Sequence, residues 1–248
     1  MDLLVVGAGD VGRWVARTVD AAVAVTDVDE AVAREAAAET GASAVPVEGE
    51  ERFDAVCVAV PMGAVESALE TQAPRATEAL LDVTGVMARP VRTMRRVAPD
   101  RERLSLHPLF APERAPGRVA AVRDEPGPVT DAICEQLSAT GNTVVDTTPE
   151  EHDEAMETVQ ATTHAAILAF ALAAEPAPDG LETPTYRDLA TLAERVASGT
   201  PRVYTDIQET FDGAEGVAEA ARTVAEADED ELTALLEEAD AAWRGEPG

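Results

Sequence analysis

Short apolar runs alternate with helical patterns through residues 1–147, and this alternation is the strongest regular signal in the chain. Residues 11–19 repeat a valine every four positions, which is typical of one face of a helix. The alternation predicts an α/β fold with a doubly wound, mostly parallel sheet and helices on both of its faces. The predicted strands are residues 2–7, 22–26, 55–60, 80–83, 104–106, 119–122 and 143–145.

The pattern changes after Asp146, where the strands stop. A helix start is predicted at 148–151, because Thr148 can cap, Pro149 suits the first helical position and Glu151 completes a capping box. This helix is predicted to run to about Ala174. Its second half is apolar nearly all round, so we expect it to be buried on several sides. Further helices are predicted at 185–198, 201–210 and 214–242, followed by a frayed end at 245–248.

These patterns divide the chain into an α/β domain at 1–147 and an all-helical domain at 148–248. The total length suits two modest domains. A helical domain of this size has few residues that could bury a helix that is apolar on all sides. We therefore expect the helical domain to pack against a second copy of the chain in a homodimer.

The formal net charge is −29, and the chain contains no lysine. Such a field repels nucleic acids and anionic membranes, so we expect neither as a partner. The acidic residues are spread along the whole chain, which favours a halophilic protein over an acidic partner-binding surface. The N-terminus has no signal-peptide pattern and no apolar run reaches about 18 residues, so we expect a cytoplasmic protein.

Gly7, Gly9 and Gly12 form a Gly-x-Gly-x-x-Gly turn between the first strand and the first helix. In a Rossmann domain this turn brings a dinucleotide pyrophosphate to the N-terminus of a helix. Asp27 ends the second strand, where a carboxylate binds the ribose hydroxyls and repels a 2′-phosphate, which favours NAD over NADP. The alternative is a glycine-rich turn in a nucleotide-free protein. The predicted cofactor-binding residues are Gly7, Gly9, Asp10, Val11, Gly12, Asp27, Val60 and Pro61.

The chain has three histidines, and none has the spacing of a metal site, so no metal is expected. His107 follows a predicted strand, and the cleft of such a sheet lies at the carboxyl ends of its strands. It is therefore placed for proton transfer beside a nicotinamide, or else is a surface loop residue. By pattern alone, His164 is a core residue of the long helix. His152, at the start of that helix among acidic residues, is expected to be solvated or structural.

Several segments together resemble the prephenate dehydrogenase family, along nearly the whole chain. The blocks His107-Pro-Leu-Phe-Ala-Pro112 and Glu151-His-Asp, followed by His164, are specific in combination. The other matching segments are Gly7-Ala-Gly-Asp-Val-Gly12, Asp82-Val-Thr-Gly-Val-Met87, Arg195-Val-Ala-Ser-Gly-Thr-Pro201 and Tyr204-Thr-Asp206.

The resemblance implies NAD-dependent oxidation of prephenate, with loss of carbon dioxide, to 4-hydroxyphenylpyruvate in tyrosine biosynthesis. It implies that His107 accepts a hydrogen bond or proton from the ring hydroxyl. It also implies that His164 positions the substrate, with Gln160 one turn before it, and that Arg195 binds a substrate carboxylate, a group that suits a guanidinium.

One segment departs from the family, which usually reads Asp-x-x-Ser-Val-Lys where this chain has 82–87. Gly85 and Met87 replace the serine and the lysine, and the neighbouring Thr84 is the candidate to replace the serine hydroxyl in substrate binding. Three alternatives stay open: an arogenate dehydrogenase, another two-domain Rossmann dehydrogenase of the hydroxyisobutyrate or pyrroline-carboxylate type, and a catalytically silent NAD-binding protein.

Overall fold

The computed structural model describes residues 1–178 and 180–244, and the chain forms two compact units that divide between Ala155 and Met156. The N-terminal unit is built on one eight-stranded sheet with the order β3-β2-β1-β4-β5-β6-β7-β8. The strands are β1 Asp2–Val6, β2 Ala22–Thr26, β3 Ser43–Ala44, β4 Phe53–Val58, β5 Ala76–Val83, β6 Glu102–Pro108, β7 Arg118–Glu125 and β8 Thr143–Asp146.

Six strands of this sheet, β1 to β6, run parallel to one another, β7 runs antiparallel to β6, and β8 runs parallel to β7. The prediction of a mostly parallel sheet is therefore confirmed. The chain reverses its order of strand addition at β1, because β2 lies on one side of it and β4 on the other. Ligand crevices of doubly wound sheets form at such a point, outside the carboxyl ends of the strands.

Helices cover both faces of this sheet, as the alternating pattern predicted. Along β1, Leu3 and Val5 enter one apolar core with Trp14 of the first helix, whereas Leu4 and Val6 enter a second core on the opposite face. The helices are α1 Asp10–Thr18, α2 Glu30–Thr40, α3 Val65–Gln72, α4 Ala88–Val97, α5 Pro128–Ala139 and α6 Pro149–Met156. All seven predicted strands are present, and the sequence missed the two-residue strand β3.

The start of α6 has the predicted capping box. The Glu151 N–H donates to Thr148 Oγ1 and the Thr148 N–H donates to Glu151 Oε2, each at 3.2 Å. Nearly all of α6 belongs to the N-terminal unit, so the first two turns of the predicted long helix fold with the sheet rather than with the helices that follow.

The C-terminal unit is all-helical, and a π-helical segment over Glu157–Thr162 continues the chain from α6 into it. Its helices are α7 Thr163–Ala173, α8 Pro184–Ala197, α9 Pro201–Thr210, α10 Gly213–Glu226 and α11 Glu229–Arg244. Among the residues that the structure describes, no helix is both long and apolar enough to cross a membrane.

One prediction for this unit is wrong. The single helix predicted at 214–242 is broken, because the Asp228 carboxylate accepts the N–H groups of Asp230 and Glu231 and so starts a new helix. The burial that was expected for the apolar stretch of α7, through packing against a second copy, stays a prediction. Within one chain no residue of α7 is buried, and Leu172 is 80% exposed. The predicted frayed end at 245–248 lies outside the described residues.

Candidate active site

The glycine turn lies directly after β1, at the reversal point of the sheet. Gly7 has φ of +100°, and a side chain there would place its Cβ 2.2 Å from the carbonyl oxygen of Ala59. A Cβ on Gly12 would lie 1.9 Å from the Gly7 carbonyl oxygen, so α1 packs against the turn only with glycine at this position. A Cβ on Gly9 would meet nothing within 4 Å. The turn therefore needs glycine for its own fold at two positions, and has open space at the third.

The open space at Gly9 adjoins the N-terminus of α1, which starts at Asp10 without a side-chain cap. N–H groups in the first turn of a helix have no intrahelical partners and favour anionic groups. Val60 and Pro61, which follow β4, are half-buried, and Val60 Cγ1 lies 3.1 Å from the position of a Cβ on Gly7. This cradle fits a pyrophosphate, which needs close approach to the backbone and N–H donors rather than side chains.

Asp27 stands at the end of β2, beside the same turn. Its Oδ2 accepts the Ala8 N–H at 2.8 Å and its Oδ1 accepts the Asp29 N–H at 3.0 Å. These bonds orient the carboxylate, and each oxygen keeps a second lone pair for another donor. Asp27 can therefore accept hydrogen bonds from the two hydroxyls of a ribose.

His107 lies near the carboxyl end of β6 and is 7% exposed, so the alternative of a surface loop residue is wrong. Because β1, β4, β5 and β6 are parallel, their carboxyl ends meet at one edge of the sheet. The glycine turn and residues 59–61 follow β1 and β4, the 82–87 loop begins with the last two residues of β5, and His107 lies near the end of β6. Long-range strand pairing thus puts a titratable ring on the same edge as the cofactor cradle.

A buried chain of hydrogen bonds orders the His107 ring. Its Nδ1 lies 2.9 Å from His152 Nε2, and His152 Nδ1 lies 2.8 Å from Asp153 Oδ1. An ionised carboxylate only accepts hydrogen bonds, so His152 carries a proton on Nδ1, and in the neutral tautomer of that ring its Nε2 accepts the proton of His107 Nδ1. These hydrogen bonds therefore assign the lone pair of His107 to Nε2, the nitrogen that lies 3.7 Å from the position of a Cβ on Gly85.

Electrostatics support this assignment. Burial, with a smaller effect of His152, lowers the pKa of His107 to about 3, so the ring is neutral at neutral pH. Burial alone would raise the pKa of Asp153. The hydrogen bonds from His152 and from the N–H groups of Met87 and Ala88 outweigh burial, and the pKa of Asp153 is lowered. Asp153 is therefore a carboxylate, and His107, at the other end of these hydrogen bonds, is a neutral acceptor.

The 82–87 loop forms the wall opposite His107 Nε2. Thr84 Oγ1 lies 2.6 Å from Asp82 Oδ2 and 3.0 Å from the Val86 carbonyl oxygen, so both of its contacts are within the loop. A side chain on Gly85 would place its Cβ 3.0 Å from Met62 Sδ. Substrate binding by Thr84 stays a prediction, while Met62 and the bare backbone of Gly85 line this wall.

The remaining predicted site residues belong to the C-terminal unit. His164 of α7 is half-buried, its ring stands edge-on to Tyr204 of α9 at 4.9 Å between centroids, and burial lowers its pKa. Gln160 lies in the π-helical segment, a type of irregularity that is frequent at functional sites. Arg195 is exposed in the last turn of α8. The structure thus brings His164 to Tyr204, and the predicted roles of Gln160, His164 and Arg195 stay predictions.

Two family profiles match the chain. Residues 11–124 match the nucleotide-binding domain of prephenate dehydrogenase, and residues 148–241 match its dimerization domain. The chain belongs to the prephenate dehydrogenase family. A curated relative from Streptomyces pristinaespiralis, a 4-amino-4-deoxyprephenate dehydrogenase, is 35% identical over 95% of this chain and 88% of its own length.

Solved structures share the fold at lower identity. The prephenate dehydrogenase of A. aeolicus, in complex with hydroxyphenyl propionate and NAD+, has a TM-score of 0.71 at 17% identity, covering 98% of each chain. The arogenate dehydrogenase of Synechocystis has a TM-score of 0.65 at 17% identity, covering 99% of each chain.

The sequence analysis missed the roles of His152 and Asp153. His152 is 3% exposed, so the expectation of a solvated residue is wrong, and its ring holds His107. Asp153 accepts the N–H groups of Met87 and Ala88 at 2.8 and 3.0 Å, and thereby caps α4. The available signal was a His-Asp pair one turn into a helix whose cap was already satisfied by Thr148 and Glu151. Asp153 was therefore not needed for the start of that helix.

Proposed function

We propose that this protein is an NAD-dependent dehydrogenase that converts prephenate to 4-hydroxyphenylpyruvate by oxidative decarboxylation. The observation that carries the proposal is the neutral His107, whose Nε2 is made the acceptor nitrogen by His152 and Asp153. It stands on the same sheet edge as the glycine turn. A buried neutral acceptor beside a dinucleotide cradle suits a substrate whose reacting carbon bears a hydrogen-bond donor.

Asp27 and the Gly7–Gly12 turn are the groups proposed to hold NAD, which when bound supplies the hydride acceptor. Asp27 is placed to accept the ribose hydroxyls, and its negative charge opposes the 2′-phosphate of NADP. The open space at Gly9 and the uncapped N-terminus of α1 accommodate the pyrophosphate.

The chemistry of the reaction explains why a weakly basic histidine suffices. Hydride leaves ring C4, carbon dioxide leaves C1 with its bonding electrons staying in the ring, and the ring becomes aromatic. The product phenol keeps its proton, so no proton is released overall. His107 therefore needs to accept a hydrogen bond from the C4 hydroxyl as positive charge builds at C4. A pKa of about 3 keeps the His107 ring neutral across the working range.

A second candidate substrate carries an amino group at ring C4. The relative from Streptomyces pristinaespiralis is 35% identical, and its name gives that substrate as 4-amino-4-deoxyprephenate. In this chain Gly85 supplies no hydroxyl to the wall opposite His107. A neutral imidazole nitrogen accepts a hydrogen bond from an N–H as readily as from an O–H, so His107 suits either an amino or a hydroxyl group at ring C4.

The deciding experiment measures NADH formation at high salt with prephenate, arogenate and 4-amino-4-deoxyprephenate in parallel. We expect turnover of prephenate, and a fall of roughly 10²–10⁴-fold in kcat for His107→Asn, the range typical of a lost acid–base group. Turnover of none of the three would overturn the enzyme proposal. Undiminished turnover by the variant would remove His107 from the mechanism.

The cofactor assignment is tested by Asp27→Ala. Loss of hydrogen bonds from a charged acceptor costs about 1.5–3 kcal/mol, so the Kd of NAD measured by calorimetry should rise by roughly 10- to 150-fold. Asp54→Ala is the matched control, because Asp54 also accepts a backbone N–H at 2.8 Å but at the other end of β1. Equal NAD affinity in the two variants would contradict the ribose assignment.

We also propose a homodimer formed through the C-terminal unit, in the salt-rich cytoplasm of a halophile. The dimerization domain of the family and the exposed leucines of α7 support the dimer. The net charge of −29 supports salt dependence, because salt screens self-repulsion. Unfolding measured against KCl concentration tests it, and full stability at low salt would contradict it.

A further inference from the structure

Asp82 is a buried carboxyl group for which the proposed chemistry gives no use. It is the last but one residue of the parallel strand β5, at the sheet edge that carries the site, and it is 0% exposed. The groups that face it are Cys57 on β4, Ser105 directly opposite on β6, Thr84 in its own loop and Asp153 on α6. None of these groups is cationic, and an ionised carboxylate is costly to bury without a positive partner.

The proton count at Thr84 indicates which form Asp82 takes. The Thr84 hydroxyl has one proton, yet its oxygen lies within hydrogen-bond distance of two acceptors, Asp82 Oδ2 at 2.6 Å and the Val86 carbonyl oxygen at 3.0 Å. With an ionised Asp82, one of these contacts would set two acceptors against each other. With a protonated Asp82, its O–H donates to Thr84 Oγ1 and the Thr84 O–H donates to Val86, so both contacts become hydrogen bonds.

The second carboxyl oxygen agrees with this form. Asp82 Oδ1 and Ser105 Oγ are both buried, and neither makes a hydrogen bond of regular geometry among the described residues. An unsatisfied carboxylate oxygen costs more than the carbonyl oxygen of a neutral acid. Burial, reinforced by Asp153, raises the pKa of Asp82 to about 7, although the neighbouring hydroxyl groups of Thr84 and Ser105 oppose the rise.

We infer that Asp82 is a positioning residue: it is held as a neutral carboxylic acid, and its proton fixes the 84–87 loop opposite His107. The loop is attached at two places, at Thr84 by Asp82 and at Met87 by the Asp153 carboxylate. Gly85, the residue that faces His107 Nε2, lies between these attachments. The buried Asp82 carboxyl therefore acts as a donor and the half-buried Asp153 carboxylate as an acceptor.

The inference predicts an alkaline limb in kcat/KM that depends on Asp82. Ionisation of one group lowers the rate about tenfold per pH unit beyond its pKa. Asp82→Asn replaces the acid with an amide that donates to Thr84 Oγ1 at every pH, so this variant should keep most of the plateau turnover and lose the limb. Thr84→Ser should keep the limb. Thr84→Val should lose both the limb and much of the turnover. Asp54→Asn is the control for a carboxylate outside the site.

An infrared measurement tests the protonation state without any substrate. The wild-type protein should show the carbonyl stretch of a buried carboxylic acid at pH 6, which fades by pH 9 and is absent in Asp82→Asn. Thr84→Val should shift the same band, which keeps the assignment open to test if Asp82→Asn does not fold. Absence of the band at pH 6 would overturn the inference, as would an unchanged alkaline limb in Asp82→Asn.

The kinetic arm rests on the proposed function, whereas the infrared arm does not. If no candidate substrate is turned over but the band behaves as expected, the proposed function fails and the inference about Asp82 stands. If turnover is found and the band is missing, the proposed function stands and Asp82 is an ionised structural residue.

Discussion

The two units of this chain differ in how completely each buries its own apolar residues. The N-terminal unit encloses a core on both faces of its sheet, with Leu3, Leu4, Leu80 and Leu81 at most 1% exposed. In the described part of the C-terminal unit, the buried apolar residues are Met156, Ala161, Ala193, Ile207 and Phe211. Its most apolar helix, α7, buries none of its residues within one chain.

This difference separates a unit that completes its core within one chain from a unit for which we propose a second copy as cover. A sheet with helices on both faces completes its core from its own strands and helices. A few helices of small and acidic residues cannot do the same, since burial of large apolar side chains is the main source of stability. The hydrogen bonds that orient His107 lie in the N-terminal unit, which encloses its core within one chain.

The largest expected effect comes from placing charge on the apolar helix. In the proposed dimer Leu172 is covered in both protomers, and each buried leucine contributes about 1.5–3 kcal/mol, so Leu172→Glu should dissociate the dimer at micromolar concentration. Light scattering measures the mass directly. Val28→Glu, at a position that is 91% exposed in the N-terminal unit, should stay dimeric. A Leu172→Glu dimer would show that α7 is not covered by a second copy.

The next effect compares leucines of the two units by truncation. Leu80→Ala removes a fully buried side chain, and we expect a loss of about 2–5 kcal/mol in the free energy of unfolding, measured with denaturant in high salt. In protein diluted below the dimerization range, Leu172→Ala should change this free energy by no more than about 0.5 kcal/mol. Similar losses in the two variants would erase the contrast between the units.

A smaller effect concerns pH and two buried groups of the N-terminal unit. The pKa of Asp82 is about 7 in the folded chain and about 3.9 when unfolded, so its contribution to stability falls as pH rises from 4 to 7. The pKa of His107 is about 3 folded and about 6.5 unfolded, so its contribution rises from pH 3 to 6.5. The two slopes, each at most about 1.4 kcal/mol per pH unit, oppose each other in the wild-type protein.

Single variants should separate these slopes. Unfolding measured from pH 4.5 to 6.5 should show stability that rises with pH in Asp82→Asn and falls with pH in His107→Asn. Parallel pH profiles for the two variants would contradict the assigned protonation states.

The smallest effect tests the break between α10 and α11. Asp228→Ala removes a helix cap and should cost about 1 kcal/mol in the C-terminal unit, whereas Asp228→Asn should cost little, because asparagine caps equally well. Thermal unfolding of the two variants gives the comparison. Equal stability of Asp228→Ala and the wild type would show that the break does not depend on the cap.

Much of the fold followed from local patterns. The strands, the helix start at Thr148 and the helix at 201–210 all lie where apolar period and capping residues predicted them. The break at Asp228 was readable as well, because Asp228 and Glu231 have the spacing of a capping box. The periodic pattern on both sides of it concealed the signal.

The site also contains residues that local patterns predict and residues that only long-range contacts explain. The glycine turn and Asp27 were predictable because their function depends on local geometry, a strand followed by a turn and a helix. The pairing of His107 with His152 joins residues 45 positions apart, and the Asp153 cap on α4 spans 65 and 66 positions. Residue patterns do not reveal contacts over such separations, so His152 was interpreted as a solvated or structural residue of the helix start.

The sequence by itself determined the order of strands and helices, the dinucleotide turn and the candidate base, because each depends on short-range periodicity or spacing. Only the tertiary structure decided which nitrogen of His107 accepts a hydrogen bond, which of the Asp82 and Asp153 carboxyls ionises, and which unit completes its own core. Each of these depends on desolvation and on partners brought together by long-range strand pairing and helix packing. Neither burial nor these long-range contacts can be inferred from the residues that are adjacent in sequence.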